Sequence, residues 1–238
     1  MHHLRRLNAP KSWPIKRKSN KYLKRPNPGA HPIKLGIPIT ILLRDVIQVA
    51  KSNKEVKKIL YNKEVLVDQK RVKDPKFIVG LFDTITLLKD NYRIIIGKNK
   101  KISVIEIKNE ESKLKLLKVI GKTKIKGKTQ LNLFDSRNIL IDKDDYKTAD
   151  SILIDLPKQT IKEHIKFDKG VSIILTGGKH MGDQGTIEDI SSNKIIYKNK
   201  ESEKIETLKK YAFVIGKQKP LIKIEWIKWE MFGLRKSH

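Results

Sequence analysis

The sequence predicts an α+β chain that is mostly β. It divides into a basic N-terminal arm, a helix pair with a small sheet, a central β-barrel-like domain, a further short β unit and a C-terminal tail. Three observations carry this. Apolar residues recur at helical spacing between residues 41 and 60 and then switch to period two. Beyond that point, short alternating runs are punctuated by Gly, Asn, Asp and Pro, the pattern of strands joined by tight turns. Positive charge is concentrated at the two ends. The 238 residues allow one large domain or two to three small ones, and an apolar fraction of 38% suffices for packed cores.

Charge sets the partner class. The chain carries 53 Lys+Arg against 26 Asp+Glu, a formal charge of +27. Such self-repulsion is relieved by a polyanion, and nucleic acid is the expected partner. Only nine of the basic residues are Arg; 44 Lys suit point-charge neutralisation of phosphates better than planar bidentate recognition. With no cysteine, disulfides, thiol catalysis and Cys-ligated metal sites are excluded. No apolar run approaches the 18 residues of a membrane span, and the charged N-terminus leads us to expect a cytoplasmic protein. A membrane surface is the weaker competitor, because no long aromatic-plus-basic amphipathic helix is evident.

The arm, residues 1–37, contains ten basic residues, and the first carboxylate in the chain is Asp45. Five of the nine prolines fall within residues 10–32, and Trp13, Ile15, Tyr22 and Leu23 are scattered singly. Such a segment cannot form a core alone. We expect it to become ordered on RNA, against the blander reading of a disordered basic tail. Its candidate contacts are Arg5, Arg6, Lys11, Trp13, Lys16, Arg17, Lys18, Lys21, Lys24 and Arg25. His2 and His3 are too few to argue for a metal site.

Residues 38–89 read as a module. Leu43, Val46, Ile47 and Ala50 share one face of a first helix, 41–50. Ser52-Asn53-Lys54-Glu55 is a capping box opening a second helix, whose apolar face is Val56, Ile59 and Leu60. At 100° per residue, Lys54, Lys57, Lys58 and Tyr61 fall opposite. A solvated face would look similar, but three lysines with no acid are more one-sided than solubility needs. Val65, Val67 and Val72, then 83–87, supply the small sheet.

Residues 90–167 read as strands at 92–96, 102–107, 116–126, 129–134, 139–141 and 152–156, a barrel or sandwich. Lys122, Lys124, Lys126 and Lys128 alternate with uncharged residues. On one extended strand they would space four ammonium groups about 6.7 Å apart, close to a nucleic-acid phosphate repeat; an ordinary solvated strand face fits equally.

In 168–216, strands at 171–176, 186–190, 194–197 and 211–215 surround Gly177-Gly178-Lys179-His180-Met181-Gly182-Asp183-Gln184-Gly185. The spacing from Gly177 to Gly182 opens like a phosphate loop, but Asp183-Gln184 stands where Lys-Ser/Thr is required and no helix follows, so nucleotide binding is rejected. No nucleophile elbow, paired carboxylates or His-x-x-x-His appears, and neither a cofactor nor a small-molecule substrate is expected. In the tail, 217–238, Trp226 and Trp229 at i, i+3 with Phe232 suggest a helix docking on the body or on a neighbouring protein.

Three segments together resemble a known family. HLRRLNAPKSWPIKRKSNKYLKRPNPGAHP is similar to the N-terminal arm of the archaeal form of the small-ribosomal-subunit S4e proteins. Residues 41–89 look like the RNA-binding module shared with bacterial ribosomal protein four, pseudouridine synthases and tyrosyl-tRNA synthetases. GKTKIKGKTQLNLFDSRNIL resembles the family's central domain, and IKFDKGVSIILTGGKHMGDQGTIEDI with FVIGK its C-terminal KOW unit, an SH3-like barrel. The resemblance implies a structural rRNA-binding constituent of the small subunit that supports translation beside neighbouring ribosomal proteins. It implies contacts at Arg44, Lys54, Lys57 and Lys58, with Gly178, Gly182 and Gly185 shaping a tip that presents Lys179 and His180. The alternative is an RNA-modifying enzyme or RNA chaperone anchored by the same helix-pair module.

Overall fold

The computed structural model describes residues 3–62, 64–88, 90–142 and 144–224; the aromatic part of the tail, with Trp226, Trp229 and Phe232, lies outside them. Three five-stranded antiparallel sheets dominate, with two short two-stranded pairings and few helical turns.

The arm is the largest departure from expectation, because it is packed. Leu4–Arg5 pairs with Tyr22–Leu23, closing a loop around Trp13. That indole is 1% exposed and joins the core of the first sheet, and its Nε1 donates to the Gly36 carbonyl at 2.8 Å. Ser12 accepts a backbone bond from Ile102 at 2.7 Å and donates through Oγ to Lys34 O at 2.6 Å. The arm lacks a core of its own, as its composition requires, but completes that of the next module. Burying an indole and satisfying its N–H is the physical reason it is not a free tail.

The helix pair is shorter than its periodicity suggested. The helix α1 (Ile39–Ile41) runs into a π turn at Leu42–Val46 and stops before residue 50. Gln48 takes the left-handed conformation at φ 62, which ends the helix and redirects the chain. Ala50 still reaches the core. The helix α2 (Asn53–Asn62) begins where expected. Ser52 Oγ accepts from Glu55 N at 3.2 Å, and Glu55 Oε2 accepts from Lys51 N at 2.8 Å, so the capping box is formed. Val56 and Leu60 are fully buried, with Ile59 packed beside them.

The first sheet has the order Lys70–Arg71, Val65–Val67, Thr84–Leu87, Asp90–Ile96, Ile102–Ile107. The last two strands were expected in the central unit. Instead Asp90–Ile96 pairs with Thr84–Leu87, in the register Thr84↔Arg93, because a tight turn at residue 88 makes these two strands a hairpin, and Ile102–Ile107 pairs in turn with Asp90–Ile96. A boundary at 89/90 would therefore cut a sheet. A short helix, α3 (Asn109–Ser112), leads into the central sheet: Asn138–Ile141, Lys128–Leu133, Leu114–Ile125, Ser151–Asp155, Thr160–Ile165. The last sheet runs Lys204–Leu208, Lys194–Asn199, Gln184–Ile190, Ser172–Leu175, Ala212–Gly216. In the central and last sheets two strands went unpredicted, Thr160–Ile165 and Lys204–Leu208, both with charged residues and little apolar signal. The short strands Leu4–Arg5, Tyr22–Leu23, Gly36–Pro38 and Ile78–Gly80 were not anticipated either.

The central sheet buries residues on both faces. Leu117, Val119, Ile152 and Ile154 form its own core, whereas Leu116, Leu153 and Ile165 join a core shared with the last sheet. Phe82, Phe134 and Phe213, one from each of three units, meet edge to face with centroids 4.8 and 5.8 Å apart around Phe213.

Candidate nucleic-acid interface

Basic residues divide into those that hold the fold and those left facing solvent. The deepest of the first group is Lys115, 1% exposed on the strand Leu114–Ile125. Its ammonium lies 2.5 Å from Asp68, 2.6 Å from Asp83 and 3.0 Å from Asp135. Arg137 reaches Asp68 and Asp135 from the side, and His31 Nε2 lies 3.0 Å from Asp83. The cluster thus ties the arm to the first and central sheets. Burial works against the charge on Lys115, but the three carboxylates more than reverse this and raise its pKa. Burial likewise opposes ionisation of Asp83, yet His31 and Lys115 hold it below the usual carboxylate range. At Asp68 burial prevails and the pKa is raised. Three converging carboxylates resemble a cation site, but the cation is a side chain of the protein itself. Sequence reasoning missed this cluster, since Lys115 reads as one lysine among 44.

Several expected RNA contacts belong to this structural group. Trp13 is in the core and has no ring face for a base. Arg6 is buried and donates to the Asn20 and Lys16 carbonyls at 2.8 Å each. Arg17 gathers four carbonyls of the preceding turn, including Ala9 O at 2.8 Å and Pro10 O at 3.1 Å. Arg44 is gripped by both oxygens of Asp45 at 2.8 Å, and its remaining nitrogen donates to Asn53 Oδ1 at 2.8 Å. The bond to Asp45, only partly opposed by burial, raises the pKa of Arg44. These arginines are consumed by the local fold: the forks of Arg6 and Arg17 satisfy carbonyls that a proline-rich chain leaves unpaired, and that of Arg44 is held by neighbouring side chains.

The lysine ladder is corrected as well. Leu114–Ile125 ends before Lys126, and Lys126-Gly127 is a two-residue hairpin turn with φ 47 and 81. Lys128 therefore stands on the returning strand, opposite Ile125, on the other face from Lys122 and Lys124. Lys122 is bound by Asp144 at 2.5 Å and Lys128 by Asp142 at 3.0 Å. Lys124 and Lys126 remain exposed at the hairpin end.

At the glycine-rich tip, Gly178 and Gly182 have φ 83 and 93, whereas Gly185 is not in the left-handed region. Gly182 is buried against the first sheet, where an added Cβ would lie 2.3 Å from Gly97 O. Half of the tip is thus a contact within the protein. Lys179 is exposed, and His180 is half-buried with Nδ1 3.3 Å from Asp183.

What remains is a set of uncommitted cations. On α2, Lys54, Lys57 and Lys58 are all exposed, share the face opposite Val56 and Leu60, and form no ion pair among the described residues. Arg5, Lys11, Lys16, Lys18, Lys21 and Arg25 are exposed along the arm, with Lys24 half-buried. By contrast, the last unit pairs Lys169 with Asp189, Lys194 with Glu206 and Lys204 with Glu188. Among the described residues, no helix is long and apolar enough to cross a membrane.

Comparisons with known proteins identify the family. Residues 88–161 match the model of ribosomal family S4e, and residues 1–34 match that of the RS4NT (NUC023) domain. The small ribosomal subunit protein eS4 of Methanocella arvoryzae is 38% identical over 229 residues, covering 92% of this chain and 96% of that one. Its counterpart in Methanocaldococcus jannaschii is 40% identical over 238 residues, covering 93% and 97%. The crystal structure of the 30S ribosomal protein S4e from Thermoplasma acidophilum superposes with a TM-score of 0.67 at 29% identity, covering 76% of this chain and 95% of that one. With identity at this level across nearly the whole length of both partners, and a mostly-β fold in common, the chain belongs to the ribosomal S4e family.

Proposed function

We propose that the chain binds small-subunit rRNA through a limited set of uncommitted lysines, as a structural constituent of the small ribosomal subunit. It is not an enzyme, and the alternative of an RNA-modifying enzyme or chaperone finds no support in its relatives. Its place of work is the cytoplasmic ribosome, beside neighbouring small-subunit proteins. The observation that carries the reading is the face of α2, where Lys54, Lys57 and Lys58 stand exposed with no carboxylate partner among the described residues. The division that fits is an arm over 1–37 packed on a helix-pair module extending to residue 107, a central β unit to 167, an SH3-like KOW unit over 168–216 and a tail over 217–238. At the KOW tip, Lys179 is the residue offered to RNA.

The test is a binding titration with a small-subunit rRNA fragment across roughly 50–300 mM salt. Lys54→Glu, Lys57→Glu and Lys58→Glu together should lower affinity sharply and flatten the salt dependence by about one unit per lost phosphate contact. Melting should barely change, because exposed substitutions away from special features stay within about 0.5 kcal/mol each. The control is Lys198→Glu, Lys200→Glu and Lys204→Glu in the charge-balanced unit. Equal losses from both triples would mean that net charge alone matters and that α2 presents only a solvated face.

A further inference from the structure

The arm buries one of its two large aromatics and displays the other. In the hairpin of Leu4–Arg5 with Tyr22–Leu23, Leu23 is buried while Tyr22 stays 47% exposed, directly across from the exposed Arg5. The imidazole of His3 lies 5.2 Å from the Tyr22 ring at 44°, and Lys21 Nζ is 5.5 Å from its centroid. Beside this ring a groove of about 620 Å³ opens between the arm and the start of α2. Lys24, Arg25, Asn53 and Lys76 line it, and among the described residues no carboxylate does, although Asp74 accepts from Asn27 Nδ2 and Lys76 N beside it. On this lining the Asn53 side-chain oxygen is already engaged, accepting from Arg44, itself clamped by Asp45, so what Asn53 can still offer a ligand is its amide N–H₂.

We propose that this groove holds one unpaired nucleotide of an RNA strand, its base stacked on Tyr22 and its phosphate against Arg25 and Lys24. The inference rests on the rRNA-binding reading above and adds a preference for single-stranded RNA at this place. Paired RNA hides the faces of its bases, so an exposed ring beside a cationic groove favours a loop, bulge or end. The volume suits one small ligand, within the roughly 300–1,000 Å³ of such clefts. Asn53 and Lys57, at i and i+4, share a side of α2, so a strand leaving the groove continues onto the lysine face.

The experiment uses the full chain with a single-stranded 12-nucleotide uridine probe and an RNA duplex of matched charge. Tyr22→Ala should weaken binding of the single strand roughly tenfold, within the range that loss of one stacked base produces. Tyr22→Phe should retain wild-type affinity, and duplex binding should not change in either variant. The salt slope of Tyr22→Ala should equal that of the wild type, whereas Arg25→Ala should flatten it by about 0.7. Unchanged single-strand affinity in Tyr22→Ala, while the α2 triple still loses affinity, overturns the groove and leaves the rRNA reading standing. An equal loss on the duplex also overturns it. A wild-type chain that binds neither probe overturns both readings.

Discussion

The arm and helix α2 are both basic, both amphipathic in their way, and adjacent in space, yet they use charge in opposite senses. In the arm, Arg6 and Arg17 turn their guanidinium groups onto backbone carbonyls of the arm itself. On α2, the helix's own hydrogen bonds and the capping box satisfy the backbone without help, and Lys54, Lys57 and Lys58 are left to the solvent. A proline-rich segment cannot pair its carbonyls in a ladder and recruits side chains to do so. A helix satisfies its own, so its charges remain available. Net charge therefore says little about which cations meet a partner; the state of the neighbouring backbone says more.

Four outcomes would break or sharpen this contrast, beginning with the largest. Lys115→Met leaves three buried carboxylates facing an apolar side chain, and removing one member of such a cluster costs about 3–5 kcal/mol. Lys57→Met on α2 should change stability by less than about 0.5 kcal/mol; similar urea midpoints for the two would dissolve the distinction between structural and free cations. Trp13→Ala should cost about 3–5 kcal/mol as a large-to-small core change. An unaltered unfolding transition would return the arm to a loose tail.

The third outcome concerns pH. Lys118 is buried between the central and last units, where Nζ donates to Ala212 O at 2.6 Å and Lys210 O at 3.2 Å. Burial first, and nearby Lys209 second, push its pKa down to about 8. The unfolded chain, near the ordinary lysine value, holds the proton more tightly. The destabilisation is therefore fully present below pH 8 and is relieved as pH rises toward about 10.5, a gain of about 3 kcal/mol. Denaturation at stepped pH should show that rise in the wild type and not in Lys118→Met. A wild-type profile parallel to the variant's would mean that the ammonium is better hydrated than its position implies. The smallest effect compares Arg17→Ala with Lys57→Ala. The first should cost about 1–3 kcal/mol through carbonyls left without a charged donor, the second within about 0.5 kcal/mol. Thermal melts of both variants measure the difference directly.

What was legible in the amino-acid string was local. The capping box at Ser52–Glu55, the lysine face of α2, most strands and the turn glycines at 178 and 182 follow from spacing and backbone permissiveness, which act within a few residues. The family was legible too, through short stretches of residue identity. The Lys122–Lys128 ladder misled because Gly127 permits a hairpin that period-two counting reads straight through. The tertiary structure alone decided the rest. Trp13 is buried because Gly36, 23 residues away, accepts its N–H. Lys115 is an internal counter-ion because Asp68, Asp83 and Asp135 arrive from three separate turns. Gly182 touches Gly97 across units, and Phe213 gathers Phe82 and Phe134. Periodicity records which face of an element is apolar, whereas the partner of a charge or ring is set by loop closure over tens of residues, and no local pattern encodes that.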